Sequence, residues 1–516
     1  MTVGSALQTG LRLLVDRPAD VLPVYLLGIG LTATVRVPLV VSIGAVLALL
    51  VNDGRLEALV TELEPYLQTT DLDPAAMGAT PPDIPAGLES AVADVFSPAI
   101  IALLVVGVGS ALLVGVVATG LSNAVALHGI YGALNGNDGV RTGLSGLVAD
   151  WSSFVGLSIL RTLITALGLI PIVIGVSLVS ISPTAGAAAT VVGVLLGGGL
   201  IVVSSLLLLF AGQSIVVDEV GLAGGVRRSV RLPLGRPWAF AGYVLVALTV
   251  FAVLSILGSL FSLAGVSQLS GLVGPLLLLP FLDIVKFGIY ADRSLPIAAG
   301  ADDSPATDSA SVAAPTQPHR TRFVAAFRDG MGALGGFLRQ APLSVLFATA
   351  VFAAAAIIGF QTTRGFGAEL PTPAEPSMVF GSYPVDTFVM LAANNWLVSA
   401  TAAFGGVSFG VPTGVDMLLN GALIGGLYGV TDPTAFLALV APHGIIELPA
   451  IFIAGGLGFH VAAVALDVVT GRATLSRFVR AFRMAYRVLL GLAVVLVVAA
   501  LIEAFLTPTI AAAILR

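Results

Sequence analysis

Long apolar stretches are the feature that most limits how this chain can fold. They occupy residues 21–51, 98–131, 154–181, 193–217, 239–263, 269–289, 342–360 and 488–506. A helix of roughly 20 residues crosses about 30 Å of hydrocarbon, because each residue adds about 1.5 Å. Transmembrane strands would instead show alternating segments of about ten residues. The stretches therefore predict membrane-spanning α-helices.

The composition agrees with a membrane protein. Only 10% of the 516 residues are charged and 57% are hydrophobic, whereas a soluble domain is about 25% charged. Too little polar surface remains to coat a water-soluble particle. We predict an all-α, polytopic integral membrane protein with about 11 transmembrane helices in two bundles. The absence of cysteine excludes disulfides and thiolate metal sites, and the net charge of −6 argues against a nucleic-acid partner.

Arginine placement predicts the orientation, because cytoplasmic loops are enriched in basic residues. The clusters are Arg12 and Arg17; Arg141; Arg227, Arg228, Arg231 and Arg236; Arg293; Arg320, Arg322, Arg328 and Arg339; and Arg472, Arg477, Arg480, Arg483 and Arg487. All fall on the cytoplasmic side if six helices precede residue 293 and five follow residue 340. We therefore expect a multi-pass protein of the cell membrane, with a cytoplasmic N-terminus and the C-terminus outside.

A polar segment divides the chain into two modules. Residues 294–320 are rich in Pro, Ser, Asp and Ala and poor in large apolar side chains. Such a segment cannot bury enough surface to offset the entropy lost on ordering. We predict an N-terminal six-helix module over residues 1–293, a disordered cytoplasmic linker over 294–320, and a C-terminal five-helix module over 321–516.

Short basic segments precede several of the apolar stretches. Residues 11–18 read LRLLVDRP and residues 230–237 read VRLPLGRP, which is a weak internal repeat. Residues 139–151, 323–340 and 473–487 have the same form. We expect basic amphipathic helices in the membrane interface. They serve either as topological anchors or as docking sites for anionic lipid or a partner.

The N-terminal module contains one further pattern. QSIVVD at residues 213–218 is followed by RRSVRLPLGRP at 227–237 and then by an apolar stretch. This order resembles glycerophosphodiesterase membrane-domain-like multipass archaeal proteins. The membrane region of those proteins implies no catalytic residues for this chain.

The C-terminal module contains an ordered series of motifs. These are Asn394-Asn395, a glycine-rich stretch that ends in Asn420-Gly421, APHGIIELPA at residues 441–450 and LIEAFLTP at 501–508. The series resembles the stage II sporulation protein M family from near residue 323 to the end of the chain. In that family the bacterial namesake anchors peptidoglycan-degrading partners in the membrane. The resemblance therefore implies a non-catalytic subunit.

Glycines recur at four-residue spacing within this series. They are Gly406, Gly410 and Gly414, followed by Gly421, Gly425 and Gly429. On a helix this spacing makes a flat groove in which backbones approach closely, and such packing replaces the hydrophobic drive that lipid removes. We expect these helix-packing faces either inside one protomer or at a homodimer interface.

His443 and Glu447 are four residues apart and share one helix face. Pro442 is expected to start this helix and Pro449 to break or kink it. Three interpretations are open: a structural His443–Glu447 hydrogen bond, a proton- or ion-linked site, and a catalytic metal with a third ligand from His460 or Glu503. We expect Asn394, Asn395, Asn420 and Glu503 to complete an intramembrane polar cluster.

Three functions fit these residues. The first is a non-catalytic scaffold or assembly subunit, with membrane lipid and membrane or envelope proteins as partners. The second is a transporter or lipid translocator that uses the Asn, His and Glu side chains as a polar pathway. The third is an intramembrane enzyme that uses His443 and Glu447. We favour the scaffold, and we predict no cofactor, metal or catalytic residue for it.

Overall fold

The computed structural model describes residues 3–69, 85–291, 318–365 and 384–515, and every regular element in these ranges is helical. The helices are α1 Val3–Asp16, α2 Pro18–Ala33, α3 Arg36–Asn52, α4 Arg55–Thr69, α5 Ala86–Val95, α6 Pro98–Leu134, α7 Gly139–Val179, α8 Pro183–Gly193, α9 Gly199–Leu207, α10 Ala211–Asp218, α11 Leu222–Gly235, α12 Pro237–Leu263, α13 Gln268–Val273, α14 Leu279–Ala291, α15 His319–Gln340, α16 Pro342–Thr363, α17 Pro384–Phe404, α18 Val411–Gly429, α19 Pro433–Val469, α20 Leu475–Leu501 and α21 Thr507–Leu515. Single π-helical turns join α8 to α9, α13 to α14 and α20 to α21. The predicted all-α class is confirmed.

Ten segments of the described chain are long and apolar enough to cross a membrane. They are Pro18–Asn52, Pro98–Leu134, Gly139–Val179, Pro183–Asp218, Pro237–Leu263, Leu269–Ala291, Pro342–Thr363, Pro384–Ser408, Pro433–Val469 and Leu475–Leu515. The protein is therefore a multi-pass membrane protein. Helix α18 is not among the ten, since Asp416, Asn420 and several glycines lower its hydropathy. The count of about 11 stays a prediction.

The repeat seen in the sequence corresponds to a recurring backbone junction. Arg17 and Arg236 stand between a short amphipathic helix and a long apolar one, with φ/ψ of −130°/49° and −139°/61°. Ala341 has nearly the same conformation, −133°/48°. In each case proline follows at the first helical position, where its missing N–H leaves no hydrogen bond unmade. Proline also disfavours helical geometry in the residue before it, so the chain bends at all three junctions.

The remaining two basic segments do not form separate helices. Residues 139–151 continue without a break into the apolar part of α7, and residues 475–487 continue into the apolar part of α20. Neither segment contains the proline that marks the three bends. The expectation of a separate interfacial helix does not hold at these two places.

The apolar stretch 21–51 forms two helices and not one. Helix α2 ends at Ala33, and α3 begins at Arg36 and continues through Pro38. Arg36 Nη1 lies 3.5 Å from Asp416 Oδ1 on α18, and the Asp416 side chain is buried. Arg36 therefore lies half-exposed at the edge of the bundle, where the buried carboxylate of Asp416 balances its charge.

The described parts of the two modules share one apolar core. It contains Leu27 and Ile130 from the N-terminal module as well as Phe404 and Leu489 from the C-terminal module. Gly30 faces the backbone of Phe404 so closely that an added Cβ would lie 2.1 Å from the carbonyl oxygen. The predicted linker lies almost entirely outside the described residues, and the described chain resumes at residue 318.

Polar contacts also join the two modules. Arg483 Nη2 on α20 lies 3.1 Å from Asp20 Oδ1 and 2.8 Å from Asp138 Oδ1. Arg322 on α15 lies 3.2 Å from Asp16. In addition, Thr34 Oγ1 donates a hydrogen bond of 2.9 Å to Ser408 Oγ. Contacts at several depths therefore hold the two modules in one arrangement.

The second glycine series forms the face expected from its spacing. Gly421 and Gly425 on α18 pack against the backbone of Phe352 and Ala356 on α16. A Cβ at Gly425 would lie 1.8 Å from the Ala356 carbonyl oxygen. Since both residue numbers increase together along the contact, the two helices run parallel. This face is used inside one protomer.

Gly425→Leu should destabilise the protein, because the leucine side chain would overlap the Ala356 backbone. Overpacking of this kind typically costs about 1–3 kcal/mol and displaces helices. The matched control is Gly414→Leu on the same helix, since a Cβ at Gly414 meets nothing within 4 Å. Thermal unfolding in detergent measures both variants. Equal unfolding temperatures for the two would contradict the packing described here.

Candidate functional site

Helix α19 holds two of the three side chains that converge inside the C-terminal module. His443 and Glu447 lie one turn apart on it. The helix begins at Pro433 and runs unbroken to Val469, so Pro442 lies inside it and does not start it, and Pro449 does not break it. Interior prolines are tolerated in membrane helices because neighbouring groups satisfy the freed carbonyls.

Glu503 is brought to these residues by an irregular turn at the end of α20. A π-helical turn covers Ile502–Leu506 and contains Glu503 near its start. A π turn inserts one residue into the α-helical repeat and rotates the side chains that follow. Such turns are frequent at functional sites in other proteins. The sequence shows Glu503 in an apolar stretch but does not show this turn.

The three side chains lie close together, and two of them have a buried polar atom without a hydrogen-bond partner among the described residues. Their potential ligand atoms all lie within 4.8 Å of one another, and His443 Nε2 is 3.6 Å from Glu503 Oε1. The side chains of His443 and Glu503 are only 12% and 16% exposed. His443 Nδ1 and Glu447 Oε2 are buried without a hydrogen-bond partner in the described chain. An unpaired carboxylate in hydrocarbon is costly, so this cluster has unused capacity for a proton or a cation.

The expected hydrogen bond between His443 and Glu447 is not formed. None of the hydrogen bonds in the described residues joins them, because the histidine ring is turned towards Glu503. His460 lies 17 residues further along the same helix, which is about 25 Å at about 1.5 Å per residue. Its ring packs edge-on against Phe337 at 5.8 Å. Of the two proposed third ligands, only Glu503 reaches the site.

The asparagines make their hydrogen bonds to other partners. Asn394 donates a 3.4 Å hydrogen bond to Asn395, which is 8% exposed and has an unpartnered Nδ2. Asn420 donates to the carbonyl of Asp416 in its own helix. No hydrogen bond of the described chain connects these side chains to the His443–Glu447–Glu503 cluster. Three of the six residues expected in the polar cluster therefore converge, and within the described residues the asparagines are not hydrogen-bonded to them.

The first glycine series does not form a groove on one helix. Gly406 lies in a 3-10 turn against the Gly458 carbonyl, and Gly410 has φ +76° at the start of α18. Gly414 contacts nothing within 4 Å of an added Cβ. The chain reverses at this point, and the left-handed backbone needed for the turn explains a glycine at position 410. In the second series Gly429 packs beside Thr363 and Arg364, in line with Gly421 and Gly425.

Sequence reasoning missed one acidic residue. Asp416 is 5% exposed, and its Oδ2 has no hydrogen-bond partner in the described part of the chain. Its counter-ion, Arg36, belongs to the other module. The signal available in the sequence was that Arg36 and Asp416 are opposite charges in apolar stretches. Because they are far apart in the sequence, their pairing could not be recognised.

The cluster has a recognisable chemistry. One imidazole nitrogen and two carboxylate oxygens suit Zn²⁺ and related transition metals. A site with three protein ligands also leaves a coordination position open for water or substrate. Without a metal, the same groups can exchange a proton within the membrane.

Comparison with known proteins gives one match. The family model for stage II sporulation protein M matches residues 344–508, a range that contains His443, Glu447 and Glu503. No curated protein matches the chain, and no solved structure does. The resemblance suggested for the N-terminal module stays a prediction. Residues 344–508 of this multi-pass membrane protein therefore form a module of the stage II sporulation protein M family.

Proposed function

We propose that the protein is a non-catalytic scaffold, an assembly subunit of a complex in the cell membrane. Its N-terminus is cytoplasmic and its C-terminus lies outside in this proposal. Its partners are membrane lipid and membrane or envelope proteins. The observation that carries the proposal is the close packing between the two modules, which favours a single rigid platform.

Packing at the module boundary argues against a rocking transporter. Transporters with two bundles bind substrate between them and move one bundle against the other. Here Gly30 meets the Phe404 backbone at that boundary, and Thr34 bonds to Ser408. Arg483 is anchored to Asp20 and Asp138 at another level. A rocking motion would have to separate all of these contacts.

The position of the polar cluster also argues against a polar pathway. His443, Glu447 and Glu503 all belong to the C-terminal module, and none of the contacts between the modules described above involves them. The cavity of about 870 Å³ in the described chain is lined by residues of the N-terminal module, and none of the three is among them. This arrangement supports the scaffold over a translocator that uses these side chains.

A disulfide between the modules should leave the scaffold functional. Since the chain has no cysteine, Thr34→Cys combined with Ser408→Cys introduces one defined pair at a 2.9 Å hydrogen bond. The tagged protein is cross-linked to its neighbours in native-host membranes, purified and measured by quantitative mass spectrometry. We expect the same stoichiometric partner proteins in the oxidised and the reduced state.

Thr34→Cys alone, treated with the same oxidant, is the control. Loss of the partner proteins in the oxidised double variant alone would show that relative movement of the modules is required. Recovery of no stoichiometric protein partner from either variant or from the unmodified chain would also contradict the scaffold.

A second candidate function is supported by the convergence of His443, Glu447 and Glu503. In this alternative the three residues bind a divalent metal, and the open position activates water for intramembrane chemistry. The short ligand separations and the unpartnered buried atoms favour it.

Zn²⁺ should stabilise the chelator-treated protein if this alternative is correct. Binding adds about 2.7 kcal/mol at a ligand concentration of 100 Kd, and thermal unfolding in detergent measures it. Glu447→Gln, Glu503→Gln and His443→Ala should each remove the Zn²⁺ effect, whereas His460→Ala, the distant histidine, should keep it. Glu447→Gln should not lower stability without metal, because it removes an unpaired buried charge at similar shape. Absence of a Zn²⁺ effect on the unmodified protein would reject the metal site but not the scaffold.

A further inference from the structure

The N-terminal module encloses a cavity of about 870 Å³. Residues of α3, α6 and α7 line it, and the start of α10 and part of α14 lie at one end, beside Leu127 of α6. Along α6 the lining residues extend from Val108 to Leu127, which is about 28 Å at about 1.5 Å per residue. The cavity is thus elongated along the helix axes.

The walls of the cavity are apolar and open sideways. Val108 and Leu112 on α6 are 51% and 67% exposed, and Leu169 on α7 is 46% exposed. Side chains of this kind are in contact with lipid chains when the helices cross a membrane. The opening therefore faces hydrocarbon and not water.

The closed end of the cavity is charged. Lys286, the one lysine of the sequence, places Nζ 2.9 Å from Asp283 Oδ1. Tyr25 donates a 2.7 Å hydrogen bond to Asp283 Oδ2. Both oxygens of the carboxylate are therefore engaged.

Arg161 adds a second cation beside this pair. Its Nη2 donates a 2.7 Å hydrogen bond to the carbonyl of Leu208, just after the end of α9. It interacts electrostatically with Asp283 and Lys286, but no carboxylate of the described chain lies within ion-pair distance of it. The structure turns it into the cavity.

Two cations and one carboxylate leave an excess positive charge at the end of an apolar cavity. Such a charge is costly in a membrane unless an anion compensates it. An anion attached to a long apolar chain satisfies the charged end and the walls together. Free phosphate would neutralise the charged end only and would make no apolar contact with the walls.

We propose that this cavity binds one anionic phospholipid. Its phosphate contacts Arg161 and Lys286, and its chains lie along α6 and α7 towards the lateral opening. This inference is independent of the scaffold proposal, because it concerns only the N-terminal module. It names a lipid site in a module for which no function is known from the family match.

The test is a binding titration of the full-length, delipidated protein in detergent by native mass spectrometry. Phosphatidylglycerol is compared with phosphatidylcholine of the same chains. We expect one tightly bound phosphatidylglycerol, with binding at least about tenfold tighter than phosphatidylcholine, because charge-assisted hydrogen bonds are the stronger ones. Arg161→Gln and Lys286→Gln should each weaken phosphatidylglycerol binding about tenfold.

Two further variants test the charge and the shape of the cavity separately. They remain informative even if Arg161→Gln does not fold. Asp283→Asn removes the competing negative charge and should strengthen phosphatidylglycerol binding. Thr119→Trp fills the cavity from α6 with all charges intact and should weaken it. Arg12→Gln, an exposed arginine outside the cavity, is the matched control and should change nothing.

The outcomes that overturn the proposal are specific. Equal binding of the two lipids would show that the charged end does not contribute to lipid binding. An unchanged affinity of Thr119→Trp for phosphatidylglycerol would show that the lipid does not bind in the cavity. Inorganic phosphate that binds as tightly as phosphatidylglycerol, with no effect of Thr119→Trp, would assign the charged end to a free anion instead.

Discussion

Close backbone contact at small residues is the interaction on which this structure depends. In hydrocarbon the hydrophobic effect does not drive helices together, so packing must supply the association energy. Gly425 against Ala356 within the C-terminal module and Gly30 against Phe404 between the modules are two instances. At both, any larger side chain would force the two helices apart.

The few intramembrane charges are arranged around that packing. Arg36 pairs with Asp416 across the module boundary, and Lys286 pairs with Asp283 inside the N-terminal module. Two groups remain uncompensated in the described chain: the acidic His443–Glu447–Glu503 cluster and the cation Arg161. Because uncompensated charge in lipid is costly, these are the two places where a bound ion or an anionic ligand has the most to contribute.

Much of the fold and part of the site could be predicted. Apolar stretches gave the helical membrane class, and the repeated Arg-Pro pattern marked the starts of α2 and α12, each preceded by a separate amphipathic helix. The shared face of His443 and Glu447 follows from helical spacing. The contribution of Glu503 could not be predicted, because it depends on a π turn and on which helices lie side by side. The same reason hid the Arg36–Asp416 pair, whose members are far apart in sequence.

The sequence by itself therefore determined the membrane as solvent and the approximate positions of the long helices, since these depend on local composition. Only the tertiary structure decided which charges meet, that the two modules share one core, and that Arg161 faces a cavity beside Lys286. These features depend on which helices become neighbours. In lipid that choice follows from shape and from a few small residues, and local sequence does not encode shape complementarity between distant segments.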